Sequence, residues 1–208
     1  MRIAVLMGLA MLMLAGGARA AEPILTLGRP DAPVVVDEYF SLACSHCAEF
    51  SAQMMPRLRK EYIDTGKVRV NMYDLAFDKS GLLASALLRC VSSLRVEPMM
   101  TALYRAQKGW THAPDTETAL AKLAAFAGLD EAKARACMND KTVTDALTRQ
   151  SDEAVKGLRL QGTPSFIVNG TERLYGKRPY EDFATVFDRL LASGARAASV
   201  APALAPSH

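Results

Sequence analysis

Val34-Val35-Val36-Asp37-Glu38-Tyr39-Phe40-Ser41-Leu42-Ala43-Cys44-Ser45-His46-Cys47 is the stretch that decides the fold. Its first seven residues are mostly β-branched and aromatic and lie between turn formers, which predicts a buried strand. Ser41 to Cys44 make a short loop. From His46 the period changes. Cys47, Phe50, Met54, Leu58 and Tyr62 recur every three or four residues, which places them on one face of a helix over about 46–62. Pro56 interrupts that helix and is expected to kink it rather than end it. Thr65-Gly66 stop it. Val68-Arg69-Val70-Asn71-Met72-Tyr73 alternates and predicts a second strand. Strand, helix and strand over this length suit a right-handed parallel crossover.

Working outward, Pro30 to Pro33 punctuate a short leader. Residues 79–159 are expected to be wholly helical. Leu83, Leu87 and Cys90 share a face there. Asp115 or Thr116 caps a helix that Gly128 closes, and Asp130 caps one that carries Cys137. Val143, Leu147, Ala154 and Leu158 outline a further helix. Ser165 to Val168 predicts a strand. Asn169-Gly170 signals a hairpin, because a type I′ turn needs positive φ at both positions. Thr171 to Tyr175 returns, and Tyr180, Phe183, Phe187 and Leu190 mark a last amphipathic helix. The expected class is α/β with an all-helical insertion. The expected divisions are a leader over 1–20, α/β parts over 21–76 and 159–193, a helical insertion over 77–158, and a flexible tail over 194–208.

The chain has 208 residues, 50% of them hydrophobic and 23% charged, enough for a packed core and against wholesale disorder. Its formal charge of +3 argues against a nucleic-acid binder. Arg2, the apolar run Ile3 to Ala15 and Ala18-Arg19-Ala20 follow the order of a cleaved export signal. The run is short of the roughly 20 residues a membrane span needs. Residues 1–20 hold two arginines and no acid, so the exported part would carry +1. All four cysteines (Cys44, Cys47, Cys90 and Cys137) would leave with it for a compartment where thiols oxidise.

Cys44-Ser45-His46-Cys47 carries the chemistry. Two cysteines three apart at a helix start can close a small ring and reopen it. The helix end presents free N–H groups and a positive dipole to the first sulfur, favouring thiolate over thiol. A protonated His46 would add to this. A stabilised thiolate also stabilises the reduced form and makes the disulfide a stronger oxidant. Cys44, at the outer end, is the expected attacking sulfur. Cys47, in phase with Phe50 and Met54, would resolve mixed disulfides. A structural disulfide and half of a zinc site are the competing readings. No second C-x-x-C is present to complete the latter.

Asp31-Ala32-Pro33 through Cys44-Ser45-His46-Cys47 to Glu61-Tyr62-Ile63-Asp64-Thr65-Gly66-Lys67-Val68, together with Gly162-Thr163-Pro164-Ser165-Phe166-Ile167-Val168-Asn169-Gly170, resembles the DsbA-like thiol:disulfide oxidoreductases of the thioredoxin superfamily. The resemblance covers about 30–193. It implies a thioredoxin fold with an inserted all-helical domain and an activity that donates disulfides to newly exported proteins. It gives Cys44 the role of nucleophile, Cys47 that of buried partner, and Pro164 that of a cis-proline facing the disulfide. Cis geometry would turn the Thr163 backbone outward to pair with an extended substrate peptide. Glu38 falls where the family often has a buried acid that relays a proton from Cys47; a surface strand residue is the other reading, and Lys67 is a possible partner. Cys90 and Cys137 are implied to pair as a structural disulfide, closing a loop of 47 residues; a regulatory redox pair is the alternative.

Two departures bear on function. Ser-His stands between the cysteines where the best-known oxidases have Pro-His, and Thr163 stands where they carry an apolar residue; threonine there also occurs in isomerases. Such isomerases usually place a dimerisation domain first; Ala21 to Pro33 are too few for one. The expectation is a monomeric periplasmic oxidase, acting on unfolded or reduced exported proteins and reoxidised by a membrane partner resembling DsbB. No cofactor and no metal are expected. The alternatives are a disulfide isomerase or reductase, and a copper-handling thioredoxin-like protein using Cys44, Cys47 and His46 as soft ligands.

Overall fold

The computed structural model describes residues 22–194. The leader at 1–20 and the tail beyond Gly194 lie outside them. Strand β1 is Leu25–Leu27, β2 is Val34–Phe40 and β3 is Val68–Asp74; β4 is Ser165–Val168 and β5 is Glu172–Tyr175. They form one sheet in the order β1-β3-β2-β4-β5. β2 and β3 run parallel from Val34↔Val68 to Phe40↔Asp74. β1 on β3, β4 on β2 and β5 on β4 are antiparallel.

β2 is central, so both its faces are covered, and that explains its near-continuous apolar run. Its even residues Val34, Val36 and Phe40 join the main core. Its odd residue Tyr39 faces a smaller cluster and stacks on Tyr73, with centroids 5.0 Å apart. Period two therefore puts Glu38 on the main-core side. Asn169 (φ 47°) and Gly170 (φ 75°) turn β4 into β5 as the Asn-Gly pair predicts.

β1 is a correction to the sequence reading, which had only a leader here. Leu25-Thr26-Leu27 is too short to show a period, and its pairing with Met72, Asn71 and Val70 is tertiary. A second correction concerns the helix after the cysteines. α1 covers Ser45–Gln53, α2 covers Met55–Leu58, and a π-helical turn covers Arg59–Ile63. Met54 is both the C-cap of α1 and the residue before α2, and Pro56 sits in the first turn of α2. Lacking an N–H, Pro56 starts a segment instead of bending a continuous one.

Residues 79–158 are helical: α3 Lys79–Leu88, α4 Ser93–Arg105, α5 Gln107–Thr111, α6 Thr116–Leu123, a 3₁₀ turn Ala124–Ala127, α7 Glu131–Met138 and α8 Lys141–Leu158. Asp78, Asp115, Asp130 and Asp140 cap α3, α6, α7 and α8 through their side chains. Gly128, at φ 72°, ends the 3₁₀ turn. This block shares one core with the sheet: Leu87, Met99, Leu103 and Trp110 belong to the same cluster as Val36 and Phe50. α9, Tyr180–Ala192, covers the main-core side of the sheet. Its Phe183 meets Phe166 edge-on at 4.9 Å and Phe50 at 5.4 Å, pairs worth about 0.5–1.5 kcal/mol each beyond their buried area.

Candidate active site

The site lies where β2 leaves the sheet. Ser41 closes the loop: its backbone carbonyl accepts from Cys44 N at 3.2 Å and its Oγ accepts from Ala43 N at 3.3 Å. Cys44 becomes the N-cap of α1, with φ −81° and ψ 120°. Cysteine here does what Ser or Asp does at other helix starts. Its Sγ accepts the Cys47 N–H at 3.3 Å. One turn on, Cys47 is buried against the sheet beside Phe50.

The two thiols are free and electrostatically unlike. Cys44 is brought down from 9.0 to about 6, chiefly by its hydrogen bond with Cys47, against burial, and with help from the Thr163 side chain and the backbone N–H groups of Cys47 and His46. Cys47 is pushed far up by burial, then by the neighbouring Cys44. One sulfur is therefore a thiolate near neutral pH and the other a thiol.

Thr163 and Pro164 face the pair from the start of β4. Their peptide bond is cis. The Cys44 sulfur lies 3.2 Å from the Thr163 carbonyl oxygen, across 119 residues of sequence, and donates to it in the protonated thiol form. The Pro164 carbonyl accepts from Gly176 N at 2.8 Å, which anchors the turn to the end of β5. His46 lies exposed on the first turn of α1. It acts on Cys44 through its backbone; its ring, with Lys108, adds to the hold of Lys177 on the Glu49 carboxylate.

Glu38 is 2% exposed. Burial alone pushes its carboxyl up to about 8, and its Oε2 has no hydrogen-bond partner among the described residues. The surface alternative is thereby excluded. Lys67 is not its partner: the ammonium reaches the Glu61 carbonyl at 3.4 Å and lies over the Tyr62 ring. Lys67 follows the turn at the foot of β3, and the parallel register places it at the opposite end of the strand from the cysteines. Cys90 and Cys137 form a disulfide between the end of α3 and α7, remote in sequence from the Cys44 loop. Beside it Arg89 makes a bidentate pair with the fully buried Asp74, both bonds 2.7 Å. Among the described residues no three His, Cys, Asp or Glu side chains gather to hold a metal ion.

Two neighbours escaped the sequence reading. Gln107 donates from Nε2 to the carbonyls of Leu42 (2.7 Å) and Cys44 (2.9 Å). Tyr104 packs edge-on against Phe40 and is electrostatically coupled to Cys47, Glu38 and Cys44. Neither carries a local sequence signal, because each meets the site through partners distant in the chain.

With this geometry in hand, the comparisons are specific. A family model described as thioredoxin matches residues 21–189. A putative protein-disulfide oxidoreductase of Rickettsia bellii is 30% identical over 152 residues, 73% of this chain and 59% of that one. This chain thus spans about three-fifths of the Rickettsia relatives it matches. A probable disulfide bond formation protein D of Bacillus anthracis is 30% identical over 151 residues, 70% of this chain and 69% of that one. The crystal structure of Wolbachia pipientis alpha-DsbA1 superposes with a TM-score of 0.74 at 26% identity, covering 81% of this chain and 91% of that one. The family model spans most of the chain and the relatives agree with it, and the chain belongs to the DsbA-like thiol:disulfide oxidoreductases of the thioredoxin superfamily.

Proposed function

We propose that the protein is an exported dithiol oxidase that passes a Cys44–Cys47 disulfide to reduced protein chains. The observation that carries this reading is the Cys44 sulfur at the N-cap of α1, brought down to about 6 while Cys47 is held as a thiol. A substrate thiolate attacks the Cys44 sulfur of the disulfide. A mixed disulfide forms, the Cys44–Cys47 bond breaks, and Cys47 leaves and takes up a proton. Glu38, neutral at pH 7 and buried on the main-core face of β2, is suited to supply that proton. A second substrate thiolate attacks the substrate's own sulfur and expels Cys44 as the stabilised thiolate. The substrate loses two electrons and the protein gains them.

The Thr163 backbone beside cis-Pro164 is suited to hold an extended peptide across the nucleophile. Cys90–Cys137 is a structural staple in this reading, within an insertion over 77–158. A membrane oxidant resembling DsbB would restore the disulfide, and the leader at 1–20 would deliver the protein, as a monomer, to the periplasm. The test is the reduction potential of the pair against a glutathione buffer, with Cys90 and Cys137 intact. The expected value lies well above the roughly −270 mV of thioredoxin. A value at or below thioredoxin's would overturn the oxidase in favour of a reductase.

A further inference from the structure

Gln107 is buried and belongs to the helical block, yet its side-chain amide bonds to the nucleophile loop. The two hydrogens of Nε2 reach the Leu42 carbonyl at 2.7 Å and the Cys44 carbonyl at 2.9 Å. The orientation of the amide follows from its partners: an Oε1 in that place would face two carbonyl oxygens, so only the NH₂ fits. The Cys44 carbonyl also accepts the Ala48 N–H at 3.1 Å, the first bond of α1. Gln107 therefore grips the loop on both sides of Ala43 and at the first turn of the redox helix. It is itself held. Trp110, one turn later in α5 and 1% exposed, donates from Nε1 to the Leu103 carbonyl at 2.8 Å.

We propose that Gln107 is a positioning residue for Cys44, through which the helical insertion fixes the loop so that the sulfur meets the end of α1. The inference rests on the dithiol reading of Cys44 and Cys47 given above. Two consequences follow from the geometry. The amide neutralises the negative ends of two carbonyl dipoles next to the thiolate. It also fixes the carbonyl of the capping residue, and with it the direction of Cys44 Sγ toward the Cys47 N–H. Both favour the thiolate, so loss of the amide moves the sulfur back toward an ordinary thiol and weakens the disulfide as an oxidant.

The experiment is the pH dependence of Cys44 alkylation by iodoacetamide in the reduced full chain, checked by thiolate absorbance at 240 nm. Gln107→Met keeps the volume and removes both donors. Gln107→Glu keeps the shape and, once ionised, turns an acceptor toward the carbonyls. The expected result for both is an upward move of the Cys44 midpoint by about one unit, which is about tenfold less thiolate at pH 5. A merely structural glutamine would lower the melting temperature and leave that midpoint in place, and this result would overturn the inference. If Gln107→Met does not fold, Gln107→Glu alone decides. The oxidase reading fails separately: a wild-type midpoint near 8.5 overturns it, while equal midpoints in wild type and variants overturn the role of Gln107 whatever the wild-type value.

Discussion

Replacing Glu38 by Gln should stabilise the protein in a pH-dependent way. Burial pushes the native carboxyl up to about 8, against 4.5 for the free group. Below pH 4.5 native and unfolded chains both hold the proton and nothing is lost. Between about 4.5 and 8 the native state still holds a proton that the unfolded chain has released. Stability then falls as pH rises, by about 1.4 kcal/mol per unit. At pH 7 that window is about 2.5 units wide, so the ionisable group costs about 3 kcal/mol. At 2% exposure solvent screens little of it. Glutamine keeps the shape and cannot ionise; any cost of burying its amide is the same at every pH. The assay is urea unfolding of reduced wild type and Glu38→Gln from pH 4.5 to 8. The stability difference between them should grow by about 3 kcal/mol in favour of the variant between pH 4.5 and 7. A difference that stays constant across that range would refute the reasoning, because it would mean that Glu38 ionises in the native protein as it does in water.

Cys44 has the opposite sign. Its native pKa is lowered, so its stabilising effect is present above the ordinary thiol range and is lost as pH falls through about 6. Reduced wild type should therefore gain stability over Cys44→Ser between pH 6 and 9, read from melting temperatures; a flat difference would contradict the thiolate assignment. Removing the Cys90–Cys137 bridge by double alanine substitution should cost roughly 3–4 kcal/mol in chain-entropy terms for a 47-residue separation; denaturant unfolding with no loss would show that the link carries no stability. Gly28→Ala should lower the melting temperature sharply, because the residue sits at φ 92° and its new Cβ would lie 2.5 Å from the Val68 carbonyl. An unchanged melting temperature would place that turn elsewhere.

Local chemistry made much of the fold legible. β2 announces itself because a strand buried on both faces is β-branched or aromatic over most of its length, and the Asn169-Gly170 turn because few other pairs tolerate its backbone. The capping aspartates and Gly128 act within four residues of themselves. The capping role of Cys44 is readable for the same reason. What stayed hidden depends on distant partners. β1 exists because β3 offers an open edge. The direction of Lys67 was set by Tyr62 and the Glu61 carbonyl, which no strand pattern reveals. Whether Glu38 was buried depended on α1 lying over that face of the sheet. Gln107 shows no local signature, since its partners lie 63 and 65 residues earlier.

The antiparallel pairing of β2 with β4, Val36 opposite Val168, has a consequence for the order in which the molecule comes into being. Cys44 precedes Thr163 by 119 residues. At a synthesis rate of 5–20 residues per second, its sulfur is made roughly 6–24 s before the carbonyl it will face. During that interval the central strand of the sheet has β3 on one side and an open edge on the other, which is the geometry that recruits foreign strands. The last hairpin and α9 thus complete two things at once: they cover the exposed edge, and they install the far wall of the redox centre. A nascent chain halted before Pro164 would carry a dithiol with nothing opposite it.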